Sequence, residues 1–202
     1  MTADITTLDA LDALYGRGPS EAARIKVTSV LTPSYHNWIA ASRFCVLSTV
    51  GPEGVDGSPR GDVGPVVEIV DNKTLHLPDW RGNNRLDSLR NIVRDPRVSV
   101  MFFVVGSDLA LRVNGRARIR ADASVIEKFE QNAKHPTSVI EITIEEVYAQ
   151  CSKSIMRSEL WSVADQSQGL PSLGQMIKDA KASFDAEEFD AAWHDRASKT
   201  LW

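Results

Sequence analysis

Residues 74–104 read TLHLPDWRGNNRLDSLRNIVRDPRVSVMFFV. The run divides into a strand-like start, a polar loop, a short helix, a turn and an apolar strand. Its loop, Asp79-Trp80-Arg81-Gly82-Asn83-Asn84-Arg85, sets two arginines and two asparagines where the helix begins. A helix start leaves about four backbone N–H groups unpaired and carries partial positive charge. Cations and amides gathered there suit an anionic group such as a phosphate. A ligand-free polar loop leading into a helix would have the same appearance.

Downstream, 97–105 is apolar at nearly every position after the first few, which predicts a central strand covered on both faces. Gly106-Ser107-Asp108 turns the chain, and 109–121 then alternates cleanly. Leu111, Val113, Ala117 and Ile119 face one way; Arg112, Asn114, Arg116, Arg118 and Arg120 face the other. The simplest account of these four arginines is a solvated face paired with acids such as Glu141 and Glu145 on a neighbouring strand, with ligand binding as the alternative. A helix is expected over 123–131, and a long strand over 138–148 with Ile140, Ile142 and Ile144 on one face. Beyond Leu170 the pattern predicts two amphipathic helices split near Ser183, with Phe184, Phe189, Trp193 and Trp202 in need of cover.

Upstream, 44–50 and 55–62 flank the turn Gly51-Pro52-Glu53-Gly54, and 66–70 and 74–77 flank Asp71-Asn72-Lys73. The first 42 residues read as helical. Leu8, Leu11 and Leu14 make a short face stopped by Gly16 and Gly18, and a second helix is expected from Glu21 to about Ser29. Thr32-Pro33 then starts a helix carrying Tyr35, Trp38 and Ile39. The expected organisation is therefore a helical segment over 1–42 packing on the sheet, a β domain over 43–161 and a helical tail over 162–202. Six or seven strands joined by tight turns, without regular strand–helix–strand crossovers, predict a mainly β fold with helices, an antiparallel closed or partly closed barrel.

The 202 residues, 43% hydrophobic and 25% charged, suit one domain with a sizeable core. A net charge of −4 with no dense basic block excludes nucleic acid as the main partner. The first 16 residues hold aspartates and no basic residue, unlike a signal peptide, and no apolar run is long enough to span a membrane. A cytoplasmic location is the default expectation. Cys45 and Cys151 cannot build a disulfide framework, and Cys45 reads as a small buried hydrophobe. His36, His76, His135 and His194 lack metal spacing, so no metal site is expected. No serine–histidine–acid arrangement and no nucleotide-binding glycine motif is present, and no catalytic residue can be named.

Three segments in order carry a family resemblance: Gly57-Ser58-Pro59-Arg60-Gly61-Asp62, the loop from Leu77 to Arg85, and Cys151-Ser152-Lys153-Ser154-Ile155-Met156-Arg157-Ser158-Glu159-Leu160-Trp161. With the turn Asp95-Pro96-Arg97-Val98 they resemble the pyridoxamine 5′-phosphate oxidase-like, FMN-binding split-barrel family, in a branch of FMN-dependent enzymes of unassigned substrate. The resemblance implies a split β-barrel of six or seven antiparallel strands, assembled as a homodimer with FMN at the interface. It implies phosphate contacts from Asn83, Asn84 and Arg85, a second cation from Arg60, and backbone at Asp79 to Arg81 along the flavin edge. Trp80 would shield the ring or fill the barrel mouth, and Lys153, Arg157 and Trp161 would reach the partner's flavin. The implied activity is oxidoreduction of a small molecule, with NAD(P)H as a candidate reductant. Alternatives of the same fold are a flavin- or haem-binding protein without turnover and a deazaflavin-dependent reductase. The RxxxxK pattern and the terminal tryptophan–arginine motif of the oxidases proper are missing, so their named activity does not carry over.

Overall fold

The chain enters its sheet through three short helices, α1 (Leu8–Tyr15), α2 (Glu21–Ile25) and α3 (Pro33–Ala40), in a computed structural model that describes residues 4–16 and 18–202. Thr32 caps α3 by accepting the Tyr35 N–H at 3.2 Å, and Pro33 occupies the first turn, where its missing N–H costs nothing. Ile39 is thereby fully buried against the sheet, whereas α1 exposes every residue.

The first hairpin is β1 (Phe44–Gly51) with β2 (Gly54–Gly61), and the second is β3 (Glu68–Ile69) with β4 (Thr74–Asp79). Helix α4 (Asp87–Arg94) leads into β5 (Arg97–Phe103) and β6 (Ala110–Arg120). After α5 (Ala123–Ile126) come β7 (Ser138–Ala149) and α6 (Lys153–Ser158). The tail forms α7 (Leu173–Ala180), α8 (Ala186–Ala191) and α9 (Trp193–Ser198). All strands join one antiparallel sheet in the order β2-β1-β5-β6-β7-β4-β3. The sheet curls until its edges meet: Arg60 on β2 contacts Asp79 at the end of β4 at 2.5 Å, although no backbone ladder joins those strands. This is a barrel closed by side chains along one seam.

The core follows the alternation. Leu47, Val100, Phe102, Val113, Ile140, Ile142 and Ile144 are completely buried. Each such side chain contributes about 1.5–3 kcal/mol relative to exposure. Between Asn114 and Gly115 the β6–β7 register slips, so that Gly115 faces Ile144 while Asn114 faces Glu146. This β-bulge needs glycine, since a Cβ at Gly115 would lie 2.1 Å from the Thr143 carbonyl oxygen.

Several expectations shift. Inward residues of β5 are buried, but Ser99, Met101 and Phe103 on its outer face are only half-covered. The second helix stops at Ile25, and Thr28 pairs with Val147 instead. Val66 donates to the Ser42 carbonyl rather than to β4, which cuts β3 to two residues. Helix α5 lasts one turn, ahead of Asn132 and Ala133 in left-handed backbone. The tail makes three helices, not two, and its aromatics cover one another: Phe184 and Phe189 lie 5.3 Å apart, with the Arg196 guanidinium 4.4 Å above Phe189. Glu141 pairs with Arg118 and Arg120 as expected, but the bulge removes Glu145 from that row and Glu146 accepts from Asn114 instead.

Candidate functional site

Helix α4 is locked onto the first hairpin by polar contacts. The buried Asn91 amide donates to the Thr49 hydroxyl at 3.1 Å, beside Gly51, which has no room for a side chain against it. Ser88 donates to the Asp56 carboxylate. These bonds hold the start of α4 beside β2. That start is open: Leu86, at the N-cap, is left-handed with φ 61° and supplies no capping side chain. Asn84 is also left-handed, and its side chain and those of Asn83 and Arg85 are exposed. The Asn83 side chain accepts the Arg85 N–H, and the Arg85 guanidinium, 79% exposed, contacts Asp87. First-turn N–H groups and an exposed cation therefore face outward together.

They face a cleft of about 930 Å³ along the barrel seam. Its walls include β2 from Asp56 to Gly61, the loop from Asp79 to Arg85, the start of α4, and Leu201 from the tail. The structure brings seven of the expected residues together here: Arg60, Asp79, Trp80, Arg81, Asn83, Asn84 and Arg85. Arg60 is committed to Asp79, with both side chains less than one-fifth exposed, so it ties the seam as well as facing the cleft. Trp80 donates its indole N–H to Asp62 at 2.8 Å, which fixes the ring at the barrel mouth. Asp62 also accepts from Gln131. Asp62, Asp56 and Ser88 shape the site and were not singled out from sequence; Asp62 stood within one of the segments carrying the resemblance.

Lys153, Arg157 and Trp161 do not line this cleft. The first two lie on α6 with exposed side chains, and the Trp161 indole donates to the Ser107 carbonyl in the β5–β6 turn at 2.7 Å.

Elsewhere, polar chemistry is largely self-contained. The buried His76 lies between Glu68 and Glu141, 3.3 Å from each. Burial pushes the Glu141 carboxyl up, but hydrogen bonds from Arg118, His76 and Arg120 outweigh it and hold the group below the usual range. Burial pushes the Cys45 thiol up to about 12 despite the nearby Arg60 charge, as befits a packing residue. No cluster of metal-ligating side chains occurs among the described residues, and no helix among them is long and apolar enough to cross a membrane.

A family model described as pyridoxamine 5′-phosphate oxidase matches residues 31–151. No curated protein is similar enough in sequence to match. Solved structures are more distant. HupZ of Group A Streptococcus is 18% identical with a TM-score of 0.48, over 59% of this chain and 93% of its own. General Stress Protein 26 of Bacillus anthracis is 21% identical, with a TM-score of 0.43 over 56% of this chain and 88% of its own. An FMN-binding protein of Syntrophomonas wolfei is 14% identical, with a TM-score of 0.43 over 57% of this chain and 80% of its own.

Proposed function

We infer function from one premise: this chain belongs to the pyridoxamine 5′-phosphate oxidase family, whose model matches residues 31–151. We propose that it is an FMN-dependent oxidoreductase acting on a small molecule. The observation that carries this is the uncapped start of α4, opening with Asn83, Asn84 and Arg85 into the seam cleft. A phosphate dianion fits what the loop offers: outward N–H groups, two side-chain amides and an exposed guanidinium. Arg60 and the Asp79–Arg81 backbone would line the remainder of the cofactor, and Trp80 would wall it from solvent. Bound flavin supplies the two-electron redox chemistry; the chain supplies position, charge and exclusion of water.

The site is proposed to be completed by a second copy of the chain. Phe44, Val46, Met101 and Phe103 form a half-exposed apolar strip on the outer face of β1 and β5, suited to a subunit contact. Lys153, Arg157 and Trp161, which stand off their own cleft, would then reach the flavin of the partner subunit.

One observation favours a second function, a flavin carrier without turnover. Each carboxylate at the cleft already has a partner: Asp56 with Ser88, Asp62 with Trp80, Asp79 with Arg60 and Asp87 with Arg85. No free general acid or base remains among them.

An absorbance spectrum of the purified protein, before and after FMN addition and desalting, tests the cofactor. Flavin bands surviving desalting are expected, and their absence after reconstitution would remove the role proposed for the loop. Anaerobic NAD(P)H should then bleach the bands faster than free FMN; retained flavin that is not bleached favours the carrier. Sedimentation should give a dimer, and a monomer holding FMN tightly would contradict the shared site.

A further inference from the structure

The four arginines of β6 have different surroundings. Arg118 and Arg120 share the Glu141 carboxylate, and Arg120 also holds Asp122. Arg116 is exposed. Arg112 is half-buried and meets no carboxylate among the described residues. Its guanidinium carbon stands 6.0 Å from the centre of the Tyr148 ring, with one terminal nitrogen 3.4 Å from the phenol oxygen. Its Nε is buried without an acceptor, and so is the side-chain nitrogen of Gln150. A second cation adjoins them. The Lys26 ammonium lies 5.9 Å from the same ring centre and donates to the Ala149 carbonyl at 2.6 Å.

Buried donors without acceptors are costly, and two cations at one ring repel. The neighbouring Arg118 and Arg120 show what β6 does with guanidinium groups when carboxylates are at hand. At Arg112 donors outnumber acceptors: the phenol oxygen takes one guanidinium N–H and the Ala149 carbonyl takes the ammonium, which leaves the Arg112 Nε and the Gln150 amide nitrogen unpaired. The complementary ligand is therefore rich in acceptors and negatively charged.

We propose that Lys26, Arg112, Tyr148 and Gln150 form an anion-binding site, separate from the seam cleft, for the carboxylate or phosphate group of a small molecule. Arg112 and Lys26 neutralise the charge, the Tyr148 ring supports both, and Gln150 donates from the same strand face, two residues beyond Tyr148. From Gln150 the chain runs directly into α6, which carries Lys153 and Arg157. If Lys153 and Arg157 reach the partner's flavin, an anion held here would be the charged end of a substrate lying toward that flavin. That last identification rests on the flavin function proposed above; the anion site does not.

The test titrates inorganic phosphate, and separately acetate, into FMN-saturated protein while following the Arg112 Nε–Hε resonance by NMR. A saturable shift is expected with at least one anion, and which one saturates identifies the charged group. Arg112→Met and Lys26→Met should each weaken binding by about tenfold or more, as loss of a charge-assisted contact implies. Arg116→Met, on the same strand face, should leave it unchanged. Arg112→Lys keeps the charge without Nε and should fall between, which guards against a misfolded Met variant. Three outcomes overturn the proposal: a shift that never saturates; equal weakening by Arg116→Met; or wild type binding neither anion while Arg112→Met splits the dimer, which makes a carboxylate of the second copy the occupant. Protein that retains no FMN yet shows the saturable shift refutes the flavin function and leaves the anion site standing.

Discussion

The two ends of α4 contrast sharply. At its start, Leu86 caps nothing, Asn84 and Leu86 are left-handed, and Asn83, Asn84 and Arg85 project into the cleft. At its end, Asp95 accepts the Arg97 N–H at 3.1 Å and grips the Arg97 guanidinium at 2.6 Å, so the turn satisfies itself. The Asp95-Pro96-Arg97-Val98 turn is the easier signature to recognise, yet it only aims β5. The open end is where a ligand can bind, because no N-cap side chain occupies the first-turn N–H groups of α4.

The largest effect that would sharpen this contrast is on cofactor affinity. Arg85→Ala should weaken FMN binding by roughly 10- to 100-fold in a flavin-fluorescence titration, with the melting temperature little changed. Unaltered affinity would erase the functional distinction between the two ends. Asn91→Ala acts on both ends by loosening their common anchor on Thr49. It should cost about 1–3 kcal/mol in urea unfolding. FMN binding should weaken only secondarily.

Smaller effects test each end separately. Asp87→Asn frees Arg85 from its carboxylate and should tighten FMN by roughly threefold, net of a lost helix-dipole contact. A weaker complex would mean that Asp87 orients Arg85 rather than competing for it. Asp95→Asn should leave FMN affinity unchanged. Hydrogen bonds from the Arg97 side chain and backbone hold the Asp95 carboxyl at about 2. A carboxylate whose folded value is depressed stabilises the fold above its ordinary value, near 3.9, and loses that contribution as pH falls through the lower one. Carbon NMR should give a midpoint about 2 for Asp95; a midpoint in the ordinary range would mean that the turn is not closed in solution.

Local periodicity made much of this fold legible. The alternation of β6 and the isoleucines of β7 mark the inner face correctly, and Thr32-Pro33 marks the start of α3. The segments around Arg60 and Arg85, far apart in the chain, converge on one cleft. Long-range consequences were not legible. That Arg60 would tie the seam to Asp79 depends on how the sheet curls, which no local pattern encodes. The bulge opposite Gly115 was hidden because one glycine in a strand does not say which partner residue is extruded. The tail's aromatics could satisfy one another as readily as they could cover the barrel, and composition cannot choose between the two.

That bulge divides β7 into two phases. Up to Ile144 the even-numbered residues point inward; from Val147 the odd-numbered ones do. A strand of unbroken phase would drive Tyr148 into the barrel interior and turn Val147 out to water. One extruded residue thus decouples the wiring of the two ends of the strand. The half beside β4 can keep its isoleucines fixed for folding, while the half beside Lys26 is free to change its outward residues without disturbing them.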